Sequence, residues 1–254
     1  MNKKSLLIDI GNSSLKSALY SDGNLSMFRS FRIVDIPLFK RYISQSGIKL
    51  NLNNIIICSN NPKISNIIKK VVFKITRLKP LFIGHEIGID IYHNYRNINK
   101  LGKDRLINIY GAIKMGYAPS LLISSGTALT FDLVSARGVF EGGLIIPGAE
   151  TSFRSLLNQA ALLPKKLRFP EKIKTFPGHS TEDCLTAGIL KGYGAMISGL
   201  ILDFKSRCPK LKVIAMGGNI LALKPYILGI DRYDPLHTLK SLGQIANSIA
   251  YLVP

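Results

Sequence analysis

The chain contains two similar segments, which begin at residues 5 and 120 and read SLLIDIGNSSLKSALY and SLLISSGTALTFDLV. Each has an apolar strand, a glycine-centred turn with polar side chains, and a second strand with alternating apolar positions. This is the pattern of a β-hairpin. Internal similarity of this kind indicates a duplicated architecture. We therefore predict two related halves with a boundary near 112–119, comprising residues 1–114 and 115–254.

Strand and helix patterns alternate along the rest of the chain. Short apolar runs predict strands at 54–59, 81–83, 142–148 and 212–218, and helical spacing predicts helices at 62–72, 104–115, 149–162, 181–204 and 237–252. Alternation of strands with helices is typical of α/β proteins with largely buried sheets. The sequence thus predicts an α/β fold built from two halves.

Composition excludes several classes of protein. With 254 residues, of which 46% are hydrophobic, the chain is able to bury a sizeable core. Every long apolar stretch is interrupted by a polar residue before the ~20 residues that a bilayer requires, and the apolar run before Asp9 is too short for a signal peptide. Cys58, Cys184 and Cys208 form no CxxC pair. We expect a cytoplasmic protein with reduced thiols and no membrane partner.

The net charge of +19, from 34 Lys and Arg against 15 Asp and Glu, raises the possibility of an anionic partner. The basic residues are spread along the chain, however, and no zinc-finger or RNP pattern accompanies them. Total charge governs solubility and non-specific binding more than fold. A bias toward lysine and asparagine explains the charge more simply, and we do not expect a nucleic-acid partner.

The first turn carries groups suited to phosphate chemistry. Asp9 ends an apolar strand, Gly11 permits a tight turn, and Asn12 and Ser13 supply polar side chains. Backbone amides in such a turn bind phosphate oxygens, and a carboxylate binds Mg²⁺ directly or through water. A plain hairpin with an Asx turn explains the same residues. The turns at 126–128 and 217–219 favour the phosphate interpretation, since they provide further glycine turns for a nucleotide.

A second candidate is the segment Gly102-Lys-Asp-Arg105, at the start of a predicted helix. Asp104 has the chemistry to accept a proton from a hydroxyl that attacks a γ-phosphoryl group, and the guanidinium of Arg105 suits a carboxylate. The alternative is structural, with Asp104 as the N-cap of the helix and Arg105 as a surface charge.

An ordered series of motifs resembles the type III pantothenate kinase family, which belongs to the actin-like and sugar-kinase ATPase superfamily. The motifs run over essentially the whole chain and are Asp9-Ile-Gly-Asn-Ser13, Tyr95, Gly102-Lys-Asp-Arg105, Gly126-Thr-Ala128 with Asp132, Gly142-Gly-Leu-Ile-Ile-Pro-Gly148, Leu163-Pro164, Ser180-Thr181 with Gly188, and Gly217-Gly218. The resemblance implies two ribonuclease-H-like halves with the active site in the cleft between them. It also implies a homodimer with the pantothenate pocket at the subunit interface.

The resemblance further implies phosphorylation of pantothenate to 4'-phosphopantothenate by ATP and Mg²⁺, the first step of coenzyme A biosynthesis. Asp104 would be the proton acceptor, and Asp9 would lie near the magnesium ion. The implied ATP contacts are Asp9, Ile10, Gly11, Asn12, Ser13, Ser14, Leu15, Lys16 and Thr127. The implied pantothenate contacts are Tyr95, Gly102, Lys103, Asp104, Arg105 and Thr181.

Position 124 departs from the family pattern. The second loop of the family reads Asp-x-Gly-Thr-Ala, and the aspartate contacts a monovalent cation, potassium or ammonium. Here Ser124 replaces it, which removes a negative charge from a hard-cation site. The alternatives are an active kinase with an altered cation requirement, a weak kinase, and an inactive relative that acts as a regulatory or nucleic-acid-binding accessory protein.

Overall fold

The computed structural model describes residues 4–45, 47–48 and 52–250 and divides into two compact units. The first unit takes its described residues from Met1–Tyr92, Arg96–Gly116 and Leu236–Pro254, and the second comprises His93–Tyr95 and Tyr117–Pro235. The strands are β1 Lys4–Ile10, β2 Ser14–Ser21, β3 Asn24–Arg32, β4 Leu52–Ser59, β5 Leu81–Phe82, β6 Ser120–Ser125, β7 Ala128–Val134, β8 Phe140–Pro147, β9 Lys212–Met216 and β10 Arg232–Tyr233. The helices are α1 Ile36–Gln45, α2 Pro62–Thr76, α3 Lys103–Lys114, α4 Ala149–Gln159, α5 Thr181–Arg207, α6 Ile220–Leu223 and α7 His237–Ala250.

The first unit is a five-stranded sheet covered by helices on both faces. Its strand order is β3-β2-β1-β4-β5, with β1 antiparallel to β2 and parallel to β4. Side chains alternate along β1, so that Leu6 and Ile8 join the core against α1 and α2, whereas Leu7 joins the core against α3 and α7. Asp9 lies on the same face as Leu7 and therefore points toward the side of the sheet that α3 covers.

The second unit repeats this topology. Its strand order is β10-β9-β6-β7-β8, with β6 antiparallel to β7 and parallel to β9. One face of its sheet packs on α4, α5 and α6 through a core that includes Leu121, Phe131 and Ile197. The predicted α/β fold with two related halves is confirmed. The placement of the active site between the halves stays a prediction.

Most sequence-predicted elements are present with small changes at their ends. The helix predicted at 62–72 continues to Thr76, and the helix predicted at 149–162 ends at Gln159. Strands β3 and β10 and helices α1 and α6 were not predicted. Strand β3 is largely exposed, and β10 and α6 are short, so their apolar patterns are weak. Helix α1 buries Phe39 and Ile43 on one face, an amphipathic pattern that was present in the sequence and was not recognised.

The C-terminal helix belongs to the first unit, whereas the predicted division at 114/115 assigned residues 115–254 to the second half. Helix α7 packs on α3 and β1 within the first unit. Its apolar residues Leu239, Leu242 and Ile245 join the core that contains Ile107. These residues form one apolar stripe along the helix. An amphipathic helix packs where an apolar surface is available to cover its stripe, whatever its position along the chain. Residues 251–252, the end of the helix predicted at 237–252, lie outside the described residues.

Helix α5 is long and apolar enough to pass a length-and-composition test for a membrane span. Only 28% of its most apolar 18-residue window is buried within the chain. Core helices of proteins without membrane spans also pass this test, so the finding is weak evidence for a membrane.

Candidate active site

The first part of the site is the carboxyl end of β1, where Asp9 is the last polar residue of the strand. Asp9 is paired with Cys58 on the parallel neighbour β4 and with Lys16 on the antiparallel neighbour β2. Its side chain is partly exposed, and the thiol of Cys58 beside it is buried. The sheet register therefore places a carboxylate, a thiol and an ammonium group around one strand end.

The second part is the start of α3. The helix begins at Lys103 with Gly102 as its N-cap, so Asp104 is its second residue and is not the cap. Asn60, in the loop after β4, joins this helix start to the sheet. Its Oδ1 accepts a hydrogen bond from the backbone N–H of Lys103 at 3.1 Å, and its Nδ2 donates to Oδ1 of Asp104 at 2.7 Å. The carboxylate of Asp104 is thus held at the N-terminal end of α3.

Electrostatics connects the two parts. Burial raises the pKa of Asp9 from 3.8 to about 6, the Lys16 ammonium opposes this rise, and the charge of Asp104 adds to it. Burial also raises the pKa of the Cys58 thiol well above its ordinary value, and Asp9 and Asp104 raise it further, whereas Lys103 lowers it. Two carboxylates therefore lie close enough to affect one another, an arrangement that a divalent cation would stabilise.

The first turn forms a tight hairpin, as predicted. The N–H of Gly11 donates to the carbonyl of Ser14 at 2.9 Å, and the carbonyl of Ser13 accepts from Ile33 at 3.0 Å. Asn12 and Ser13 are exposed. Ile10 and Leu15, which the resemblance also assigns to ATP, are 2% and 1% exposed, with side chains in the core of the unit. Only their backbone groups are available for a phosphate contact.

The second turn, in the other unit, is built by close backbone packing. The side chain of Thr127 is exposed, and its carbonyl accepts from Gly148 at 2.9 Å and from the hydroxyl of Thr151 at 2.7 Å. A Cβ at Gly148 would collide with the carbonyl of Gly126, and one at Gly217 would collide with the carbonyl of Ser125. Gly148 and Gly217 thus allow the start of α4 and the end of β9 to pack against this turn.

Ser124 has the same position in the second sheet as Asp9 has in the first. It pairs with Thr130 on the antiparallel neighbour and with Met216 on the parallel neighbour. The hydroxyls of Ser125 and Thr130 are buried, and neither has a hydrogen-bond partner within the described residues. No group of three or more His, Cys, Asp or Glu that could hold a metal ion occurs in the part of the chain that the structure describes.

The other residues that the resemblance assigns to pantothenate have different environments. Arg105 is only 7% exposed, so the alternative prediction that it is a surface charge is wrong. The side chain of Lys103 lies along Gly84, where a Cβ would be 3.0 Å from its Cε. Tyr95 stacks on Phe140 at 5.5 Å between ring centroids, within the second unit. The remaining residue, at position 181, is the exposed first residue of α5.

Asn60 and Cys58 were not predicted as site residues from the sequence. Both lie at the carboxyl end of β4, the parallel neighbour of β1, where polar groups of adjacent strands meet. The run Cys-Ser-Asn-Asn-Pro directly after a buried apolar strand was the available signal. It was not recognised because the strand pairing that places β4 beside Asp9 is not apparent from local sequence.

Sequence comparison identifies the family. A model of the type III pantothenate kinase family matches residues 5–203. The type III pantothenate kinase of Desulfosudis oleivorans is 30% identical over 96% of this chain and 98% of its own length. That of Sulfurihydrogenibium sp. is 30% identical over 84% and 88%, and that of Phenylobacterium zucineum is 35% identical over 72% and 73%.

Solved structures support the fold. A Campylobacter jejuni protein described as a Baf family transcriptional activator has a TM-score of 0.57 at 19% identity, covering 98% of this chain and all of its own. A Listeria monocytogenes protein assigned as an N-acetylmannosamine kinase has a TM-score of 0.54 at 13% identity, covering 97% of this chain and 99% of its own. At these identities the likeness concerns the fold alone. The family match and the relatives show that the chain belongs to the type III pantothenate kinase family.

Proposed function

We propose that this chain transfers the γ-phosphoryl group of ATP to the 4'-hydroxyl of pantothenate, giving 4'-phosphopantothenate and ADP. The observation that carries the proposal is that the charges of Asp9 and Asp104 lie close enough to affect one another, in a member of this family. Asp104 accepts the proton of the hydroxyl as its oxygen attacks the phosphorus, and the bond from phosphorus to the β-γ bridging oxygen breaks. ATP and pantothenate supply all atoms of the products, so the reaction needs no other reactant.

The proposed ATP contacts are the ones that the resemblance implies, and they include residues of the two glycine turns. Backbone N–H groups around Gly11 and the exposed side chains of Asn12 and Ser13 are suited to phosphate oxygens, as is the exposed hydroxyl of Thr127. Ser14 and Lys16 belong to the same proposed set, with the Lys16 ammonium beside Asp9. These groups would bind and orient the triphosphate.

The environment of Asp9 fits a magnesium ion. Asp9 is half-buried, burial and the charge of Asp104 raise the pKa of its carboxyl, and a divalent cation would compensate the concentrated negative charge. Bound there, Mg²⁺ would neutralise charge on the phosphate oxygens. Asp9 holds the ion in this proposal, and Asp104 keeps its separate role as proton acceptor.

The pantothenate contacts are the residues of the helix start, together with Tyr95 and Thr181. Arg105 supplies the guanidinium that suits the pantothenate carboxylate, because Arg forms paired hydrogen bonds with carboxylates. Gly102 and Lys103 present backbone groups beside Asp104. Removal of Arg105 is expected to raise the KM for pantothenate more than the KM for ATP.

The residue at position 124 does not fit a site in which a carboxylate binds a monovalent cation. Ser124 offers a neutral hydroxyl, as does its strand partner Thr130. Hard cations prefer charged oxygen ligands, so affinity at this position is expected to be low. The proposed reaction therefore contains no step through potassium or ammonium.

We also propose that the chain forms a homodimer through the face of α4 and α5. An apolar groove of about 350 Å³ lies between these helices, and its lining is Phe153, Leu156, Leu185, Gly188, Ile189, Gly192, Tyr193 and Met196. A Cβ at Gly188 or Gly192 would have no described residue within 4 Å, which leaves room for close approach of a second helix. Analytical ultracentrifugation of the wild type and of Met196→Glu tests this, since the charged variant should be monomeric.

A coupled assay for ADP tests the proposed function, with identification of 4'-phosphopantothenate by mass spectrometry. The proposal predicts turnover that requires pantothenate, ATP and Mg²⁺. The accessory-protein alternative predicts no turnover and salt-sensitive nucleic-acid binding.

One feature favours that alternative, since the exposed side of α2 carries Lys63, Lys69, Lys70 and Lys74 and the helix has no acidic residue. We place the protein in the cytoplasm in either case.

A further inference from the structure

Asn60 occupies a fixed position between the sheet and α3. The residues on both sides of it are held by hydrogen bonds. The hydroxyl of Ser59 accepts from the backbone N–H of Asn61 at 3.0 Å, and the side chain of Asn61 caps α2 by accepting from Ile64 at 3.2 Å. The backbone around Asn60 therefore has little freedom, although its side chain is exposed. The loop presents the Asn60 amide toward the first residues of α3.

The hydrogen bonds of Asn60 determine the orientation of its amide group. A backbone N–H only donates, so the Asn60 atom that faces the N–H of Lys103 must be the oxygen. The NH₂ group then faces Oδ1 of Asp104 and donates to it. A carboxylate oxygen that accepts this hydrogen bond is held in place by a neutral donor.

Gly102 encloses the same oxygen from another direction. A Cβ at Gly102 would lie 2.8 Å from Oδ1 of Asp104 and 3.7 Å from Nδ2 of Asn60. Real Cβ atoms do not approach an oxygen this closely, so only glycine leaves room for the carboxylate in this rotamer. Oδ1 is thus occupied by Asn60 and bordered by Gly102.

We propose that Asn60 is a positioning residue, which fixes the Asp104 carboxylate so that Oδ2 is the oxygen that takes the proton of the substrate hydroxyl. The proposal rests on the proposed function, in which Asp104 is the proton acceptor. In this role Asn60 contacts Lys103 and Asp104, and it acts on the substrate only through Asp104. It acts by limiting the rotation of the Asp104 side chain, and small errors in such an orientation reduce the rate of the chemical step.

Two variants separate the two hydrogen bonds. Asn60→Asp has nearly the same shape and keeps an acceptor for the N–H of Lys103, but its ionised form has no donor for Asp104. Asn60→Leu removes both hydrogen bonds. Asn61→Ala is the matched control, because it changes the adjacent asparagine and removes the cap of α2 without touching Asp104.

We expect both Asn60 variants to lower kcat by roughly tenfold, as for loss of a hydrogen bond to a charged group, with little change in the KM for ATP or pantothenate. Asn61→Ala should lower the melting temperature and leave kcat near that of the wild type. Wild-type kcat in both folded Asn60 variants would overturn the positioning role. If they do not fold, Gly102→Ala tests the same carboxylate from its other side and should also lower kcat.

A readout independent of turnover separates the positioning role from the proposed function. The ¹³C resonance of the Asp104 carboxyl, assigned by its loss in Asp104→Asn, should move in Asn60→Leu and stay in place in Asn61→Ala. An unmoved resonance in Asn60→Leu would overturn the contact. A wild-type protein that does not phosphorylate pantothenate would overturn the proposed function, even if the resonance moves.

Discussion

Replacement of Asp9 by asparagine is expected to stabilise the first unit while it abolishes phosphoryl transfer. The carboxyl of Asp9 has a pKa of about 6 in the folded chain against 3.8 for an ordinary aspartate, and the largest cause is burial. The folded state therefore binds more protons than the unfolded state between these values. The free energy of unfolding must fall as pH rises through this window, and the loss is complete above about pH 6.

The size of the effect follows from the same values. A rise from 3.8 to about 6 corresponds to roughly 3 kcal/mol at 1.36 kcal/mol for each pH unit. Linkage gives a penalty of roughly 3 kcal/mol at pH 7.5 and roughly 1 kcal/mol at pH 4.5. Asparagine carries no charge at either pH. The stability gained by Asp9→Asn should thus be about 2 kcal/mol larger at pH 7.5 than at pH 4.5.

Urea unfolding of the wild type and of Asp9→Asn at these two pH values, without nucleotide or Mg²⁺, measures the difference. Lys16→Met provides the opposite change, since loss of the ammonium should raise the pKa of Asp9 further and lower stability at pH 7.5. An equal gain at both pH values, or a loss of stability in Asp9→Asn at pH 7.5, would refute the reasoning.

Three further predictions concern the second turn and the helix contact. Ser124→Asp restores a charged oxygen ligand, so its activity should increase with added potassium, whereas that of the wild type should be the same in potassium and sodium salts in a coupled assay. Gly217→Ala places a side chain at φ +100° against the carbonyl of Ser125, so the KM for ATP should rise several-fold in steady-state kinetics. Gly111→Ala would place a Cβ against Ser241, where α3 packs on α7. Urea unfolding should show a free energy of unfolding that is lower by about 1–3 kcal/mol. On an exposed helix face, the same change would raise it by up to ~1 kcal/mol.

The duplicated architecture was accessible from sequence because each half begins with the same strong local pattern. The hairpins at Asp9 and Ser124 combine apolar strands with a glycine turn, and hairpin pairing is local in the chain. The parallel pairing of β4 with β1 and of β9 with β6 could be inferred only as part of the fold class. The order of the strands in each sheet followed from the structure, and not from periodicity.

The contacts within the site were less accessible, because they join residues that are distant along the chain. Asn60 and Asp104 are 44 residues apart, and their hydrogen bond depends on the packing of α3 beside the end of β4. The position of α7 on the first unit has the same origin, since its apolar stripe fits a surface formed more than a hundred residues earlier. Sequence pattern shows that a helix has an apolar face but not which surface covers it.

The pKa of Asp9 could be predicted only with the structure. A sequence identifies the carboxylate, but burial at the strand end and the nearby charge of Asp104 set its pKa. The identity of the candidate proton acceptor came from its motif. Its environment came from the three-dimensional arrangement.

The most direct test of the central claim is steady-state kinetics of the wild type and of Asp104→Asn with ATP, Mg²⁺ and pantothenate, with the phosphorylated product identified by mass spectrometry. The account predicts 4'-phosphopantothenate from the wild type and a kcat about 10²- to 10⁴-fold lower in Asp104→Asn, with an unchanged melting profile. Equal turnover by the two proteins would contradict the role of Asp104, and absence of product from the wild type would contradict the proposed kinase.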